Sequence, residues 1–350
     1  MVIQQLFKLF AVSLCLFGTA EQVFSQHRSF SITQDTEAHT IDIRINGQPF
    51  TSYRYPDSLM KPVLYPIITA KGDTITRGWP LIPRAGDHID HPHHIGLWFN
   101  YENVNGLDFW NNSSGIPASK KQQYGSIRHY SVDTMWADAH KAVLGTTAFW
   151  LKPDGTRLLR QQTTYLFSGK GSMRSITMTV RLTALGEDVV FKDTKDGLIG
   201  LRVRTELEQP CETPEKYIDN LGKAANFKMP SKDRATGHYL SSEGLKGDSV
   251  WSSRGKWVAL YATLNHKPVS VVILDHPGNV GYPTYWHARG YGLFAANPFG
   301  QGVFGKGLAP LDVRLKPGES VIFKYKVLIQ QGEPSTVSQI NKAAAAFAAE

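Results

Sequence analysis

The chain has 350 residues, 41% of them hydrophobic and 19% charged, and 38 Lys and Arg against 30 Asp and Glu give it a formal charge of +8. This is an ordinary globular composition, long enough to bury one large core or two smaller ones. The basic residues are scattered singly, as at Arg128, Lys152, Lys228 and Lys256, without a run of five or six, which argues against a nucleic-acid surface.

In chain order, residues 1–25 read as a secretory leader. Lys8 gives a weakly positive start, Leu9 to Leu16 an apolar core, and Gly18-Thr19-Ala20 the small residues that suit cleavage. The expected product is exported, periplasmic or secreted. Removal of the leader takes Cys15 with it and leaves Cys211, so no internal disulfide is expected. No later stretch approaches the roughly eighteen apolar residues of a spanning helix, and no membrane span is expected.

From Phe30 onward the pattern is that of strands. Thr40-Ile41-Asp42-Ile43-Arg44-Ile45 alternates strictly and ends in Asn46-Gly47, a strong hairpin signal. Further strands are expected at Pro62–Thr69, Gly125–Met135, Val143–Leu151, Arg157–Phe167 and Arg174–Leu182, then at Leu198–Leu207, Trp257–Leu264, Val269–Leu274, Leu311–Leu315 and Ser320–Ile329. Without helical crossovers between them, they predict antiparallel sheets stacked as one oversized all-β sandwich over residues 26–333. Residues 334–350, with Pro334-Ser335 at their start and an Ala-rich run after Lys342, read as a short C-terminal helical tail. Glu102–Gln123, Glu208–Gly255 and Gly278–Gly307 read as irregular, the middle one as an exposed insertion.

The densest chemistry lies in Gly86-Asp87-His88-Ile89-Asp90-His91-Pro92-His93-His94. Four imidazoles beside two carboxylates suit either proton transfer or a metal. His91 and His93 with Asp90 would form a two-histidine, one-carboxylate set, so a divalent metal is the cofactor the cluster admits. Trp98, Trp110 and Trp286 offer flat faces for sugar rings, and Asp108 a carboxylate for hydroxyls. His276 ends an apolar strand, and His287 and Arg289 share one face of an extended segment that leads to Asn297. Glu206 and Glu208 would share a strand face, most simply a solvated edge. The glycine run Gly300 to Gly307 lacks the strand–helix setting of a dinucleotide fingerprint, so no nucleotide is expected.

Taken together, Asp87-His88-x-x-His91-Pro92-His93-His94-x-Gly96-Leu97-Trp98, Asn105-Gly106-x-Asp108-Phe109-Trp110, Trp286-His287-x-Arg289 and Phe294-Ala295-Ala296-Asn297-Pro298-Phe299-Gly300 resemble the DUF6807 family. That family also carries the label "methane oxygenase PmoA". The resemblance implies a galactose-mutarotase-like β-supersandwich in exported proteins of polysaccharide-degrading bacteria. The oxygenase label conflicts with the sequence, because a membrane copper oxygenase needs several spanning helices. The family's usual pattern places Arg after the paired histidines, where this chain has Ile95; the positive charge is lost or comes from elsewhere.

The reading that follows is an enzyme acting on a carbohydrate by histidine acid/base chemistry, of epimerase, lyase or hydrolase type. His88, His93 and His94 would face His276 and His287 across one hollow. Asp87, Trp98, Asp108, Trp110, Trp286, Arg289 and Asn297 would bind the sugar. The alternative is a non-catalytic carbohydrate-binding module.

Overall fold

The computed structural model describes residues 29–225 and 228–350; the leader expected over residues 1–25 lies outside them. β1 (Phe30–Asp35), β2 (Thr40–Ile45), β3 (Gln48–Arg54), β4 (Val63–Ile67) and β5 (Leu97–Tyr101) begin the first sheet. β6 (Ser126–Ala137), β7 (Lys141–Leu151), β8 (Arg157–Lys170) and β9 (Met173–Ala184) begin the second. After β10 (Val189–Phe191), β11 (Gly197–Arg202) returns to the first sheet. β12 (His238–Ser241), β13 (Trp257–Leu264) and β14 (Lys267–Asp275) extend the second, and β15 (Tyr285–Arg289) and β16 (Leu293–Asn297) the first. β17 (Val313–Leu315) pairs with β10, and β18 (Ser320–Gln331) inserts between β14 and β9.

The result is two eight-stranded antiparallel sheets, ordered β1-β2-β3-β4-β5-β11-β16-β15 and β12-β13-β14-β18-β9-β8-β7-β6. The expected all-β sandwich is what the chain forms. Asn46 and Gly47 both take positive φ, as the tight β2–β3 hairpin requires. Ile176, Met178 and Val180, the apolar side of β9, are buried with Ile43, Phe99, Ile199, Trp286 and Val327 in the main core.

Three expectations need correction. The strand expected to run to Leu207 stops at Arg202, and Thr205–Leu207 is a single 3-10 turn. Gly278–Gly307 contains β15 and β16, whose Ala288, Ala295 and Ala296 gave little strand signal because both faces are covered. Glu208–Gly255 is no exposed insertion: it supplies β12 and folds back on the histidine loop, with His88 bridged to Tyr217.

The C-terminal helix, Val337–Ala348, is capped by Thr336 and Gln339 rather than by Ser335, each side chain bonding the other's backbone. It buries Ile340 and Phe347 against Trp257, Val272 and Leu328 on the outer face of the second sheet. No helix among the described residues is long and apolar enough to cross a membrane.

Candidate functional site

Strand register decides which side chains leave the core. Trp98, Gly200, Ala295 and His287 stand opposite one another across β5, β11, β16 and β15. The next row on the same face is Arg202, Leu293 and Arg289. The intervening row, Leu97, Leu201, Phe294 and Ala288, points into the main core. The outward face carries its own apolar patch, including Tyr65, Ile95, Trp98, Trp110 and Leu293. The histidine loop lies on this face.

Arg77 shapes that loop. Its fully buried guanidinium donates to the carbonyls of His88 (3.2 Å), Asp90 (2.9 Å), His91 (3.0 Å) and His94 (3.0 Å), and also closes on the Asp90 carboxylate. Asp87 fixes the loop's entry by accepting from the backbone N–H groups of Gly78, Trp79 and Arg84. It is a loop buckle and lines neither of the two cavities beside the loop. Arg202 comes up from β11, with Asp90 at 2.7 Å, Glu208 at 3.6 Å and His94 Nδ1 at 3.4 Å.

The rings then stack in a column. Tyr291 lies on His91 (5.0 Å between centroids), His91 on His94 (4.8 Å) and His94 on Trp98 (5.3 Å), each pair within 17° of parallel. Trp110 leans on Trp98 at 5.2 Å. Trp98, His94 and Trp110 are almost wholly buried. Their rings pack the column together, and none offers an open face to a ligand.

Beside the exposed end of the column is a cavity of about 670 Å³, lined among others by His88, Asp90, His91, Glu208, Arg289 and Tyr291. Trp251, 39% exposed, stands in the same wall with Arg289 over its ring at 4.7 Å. His88 Nδ1 lies 3.4 Å from Glu208 Oε1, yet neither atom completes a hydrogen bond. Buried polar atoms are nearly always paired, so two adjacent orphans in residues that line a cavity mark this wall as a candidate site.

The two carboxylates of the site differ in their environments. Burial pushes the Glu208 carboxyl up, against the pull of His88 and Arg202. At Asp90 burial works the same way but is outweighed by Arg202, the hydrogen bond from His91 and Arg77, which hold it well below the usual carboxylate range. One group is poised to carry a proton and the other is a fixed anion. Burial, reinforced by Lys61, lowers His93 to about 2, and burial with His93 lowers His94 strongly.

The remaining predicted residues fall elsewhere. His276 caps its own turn by accepting from the Gly278 N–H (2.9 Å), and its ring meets Phe347 of the C-terminal helix at 5.1 Å. It belongs to the second sheet, so the expected pair of facing imidazoles is not formed. His287 bonds the Lys195 carbonyl (2.9 Å) beside Asp196 (3.2 Å) and does not line the cavity. Trp286 is in the core, donating to the Gly255 carbonyl. Asn297 holds the Thr194 carbonyl and the Phe299 amide, and Asp108 caps Asn111. His93 turns to another cavity, and Asp90 is taken by Arg77, Arg202 and His91. Accordingly, no three His, Cys, Asp or Glu side chains converge as a ligand set among the described residues.

A family model described as a family of unknown function, DUF6807, matches residues 40–345. The chain belongs to this family. No curated protein matches it. Among solved structures, this DUF6807 chain is similar to an α-galactosidase of family GH36, AgaA, from Geobacillus stearothermophilus (13% identity, 76% of this chain and 30% of that one, TM-score 0.28). It is also similar to the heparan sulfate lyase HepC of Pedobacter heparinus (10%, 89% and 36%, 0.34) and to galactose 1-epimerase of Lactobacillus acidophilus NCFM (10%, 87% and 99%, 0.34). The chain spans 30% to 41% of the length of the first three such structures.

The structure answers what Ile95 left open in this DUF6807 chain. Charge missing after the paired histidines is present as Arg77 and Arg202, both with fully buried side chains. Sequence reasoning missed those two, together with Tyr217, Trp251, Tyr291 and the role of Glu208. Glu206 and Glu208 do not share a strand face, because the 3-10 turn between them sends Glu206 to Arg204 and Glu208 inward. No local pattern set Glu208 apart: it lies six residues beyond the end of β11, with Glu206 just before it.

Proposed function

We propose that this protein is a carbohydrate-active enzyme that moves protons at or beside the anomeric carbon of a sugar bound in the 670 Å³ cavity. The observation that carries the reading is the His88–Glu208 pair: an imidazole and a carboxyl, adjacent, buried and unsatisfied, at the wall of a cavity of ligand size. Glu208, raised by burial, donates a proton to a departing or ring oxygen, and His88 accepts one from a hydroxyl or an activated carbon. Asp90, locked as an anion between two guanidinium groups, holds Arg202 behind the pair. Trp251 and Tyr291 supply flat faces for sugar C–H bonds, while Gln209, Asp248 and Arg289 supply donors and acceptors for hydroxyls.

The test is a panel of mono- and disaccharides, including uronates and keto-sugars, followed by NMR with the wild type and with Glu208→Gln. The expected result is anomer exchange, an epimer or a cleavage product with the wild type and at least about a hundred-fold less with the variant. A sugar that binds equally to both proteins, with no conversion by either, would establish the binding-module reading instead.

A further inference from the structure

A second cavity, of about 360 Å³, lies at the other end of the ring column and shares no lining residue with the first. Its walls are largely apolar, with Leu59, Val63, Leu81 and Ile95 among them, and two of its polar groups are Lys61 and His93. Lys61 is 4% exposed. Its amine donates to the His93 carbonyl at 2.7 Å and sits 5.2 Å from the Trp98 ring centre, and it forms no ion pair among the described residues. A lysine held in apolar surroundings without a carboxylate partner is unusual. His93 Nε2, at the same cavity, is buried and has no hydrogen-bond partner.

We propose that this second cavity is a covalent carbonyl site, in which Lys61 takes the open-chain form of a small aldehyde or keto-sugar as an imine. The Nζ lone pair adds to the carbonyl carbon, and the carbonyl oxygen takes up a proton to give a carbinolamine. That hydroxyl then leaves as water as the nitrogen loses its hydrogen, and the C=N bond forms. No oxidant or reductant is consumed. Both protons pass from nitrogen to oxygen, and the neutral His93 ring at the same cavity, its Nε2 unpartnered, is a hydrogen-bond partner for the adduct. Burial brings the Lys61 amine down to about 7, against the pull of Asp108, so much of it is the free nucleophile at neutral pH.

The site is independent of the His88–Glu208 reading, and its test needs no turnover. Wild-type protein is incubated at pH 7 with glycolaldehyde and cyanoborohydride, which reduces an imine to a stable amine, and the labelled peptides are mapped by mass spectrometry. Lys61 should label roughly ten-fold or more faster than exposed lysines such as Lys120 and Lys256, and urea should abolish the preference. An unlabelled Lys61 beside modified exposed lysines would overturn the proposal. Since the measurement is made on the wild-type chain, no variant has to fold for it to decide.

Discussion

Arg202 and Asp90 meet at 2.7 Å inside the molecule, with the guanidinium side chain fully buried. Arg77 closes on the same carboxylate oxygen, and Arg202 also reaches toward Glu208, so two cations face two carboxyls in one enclosed group. Removing one member leaves the others buried without compensation. Arg202→Met should therefore destabilise the fold by about 3–5 kcal/mol, far more than loss of a surface ion pair. Urea unfolding with Lys192→Met, which breaks an exposed pair with Asp312, is the control, expected to fall below about 1 kcal/mol. Equal losses in the two variants would mean that the buried group is not the clamp its geometry suggests.

Glu208→Gln separates chemistry from architecture. The amide keeps the size of the side chain and its place beside His88 and Arg202, but it cannot exchange a proton. Turnover of whichever sugar is converted should fall about a hundred-fold or more, with the sugar's Kd within a few-fold of wild type. Isothermal titration beside the NMR assay reads both quantities.

Arg289 is expected to act on affinity. It rests over Trp251 at 4.7 Å and near Tyr291, and no carboxylate pairs with it among the described residues, so its fork of donors is open to the cavity. Arg289→Lys keeps the charge but loses the planar, two-pronged contact and the stacking. KM should rise about ten-fold with kcat little changed, and a uronate should suffer more than its neutral parent sugar. A fall in kcat alone would place Arg289 in the chemistry instead.

The pH dependence of stability follows from the buried imidazoles. Burial first, then Lys61 for His93 and His93 for His94, hold both groups below their unfolded value of about 6.5. As pH falls through about 6.5 the unfolded chain takes up protons that the folded chain refuses, so stability drops from there toward the folded value, about 2 for His93. Each histidine contributes a slope of about 1.4 kcal/mol per pH unit inside that window. Asp90 adds nothing until pH falls below about 4, where its stabilising charge begins to be lost. His129, lowered by burial to about 4, adds to this slope, and Asp275, raised by burial to about 7, opposes it. Urea midpoints at pH 7, 6 and 5 should still fall, and His94→Gln should take about 1.4 kcal/mol per pH unit off the slope between pH 6 and 5.

Much of the sandwich was legible because alternation survives wherever one strand face meets the core and the other meets water, as in β2 and β9. β15 and β16 escaped because both of their faces are covered, which erases the alternation. The histidine loop was legible as a concentration of chemistry, but its roles were not. Arg77, ten residues upstream, and Arg202, more than a hundred downstream, set its shape, and no local pattern joins residues so far apart. His276 and Trp286 carry the right chemistry and face the wrong way. Orientation at the end of β14 depends on the C-terminal helix that packs there, which no local motif encodes. The glycine run, read as a loop, holds a single helical turn at Gln301–Phe304, and its Gly302 and Val303 amides, with that of Leu311 beyond it, donate to the chain's own Asp193.

Gly200 holds the ring column in place, and that makes it the sharpest structural test. It stands between Trp98 and Ala295 in the outward row of the first sheet, and its backbone is not in the left-handed region, so an alanine meets no conformational penalty there. Space is the obstacle. A Cβ at this position would lie 2.4 Å from Cζ2 of Trp98 and 2.9 Å from Cη2 of Trp110, and both are rigid, buried rings. Trp98 must then shift away from β11, taking with it the faces that support His94 and the Lys61 amine. Gly200→Ala should cost about 1–3 kcal/mol by overpacking and change the tryptophan emission of the folded protein. It should also disturb both cavities at once, weakening sugar binding at His88 and slowing aldehyde labelling of Lys61. A variant with wild-type stability and emission would show that the column has room to give, and that the two cavities are not mechanically joined through it.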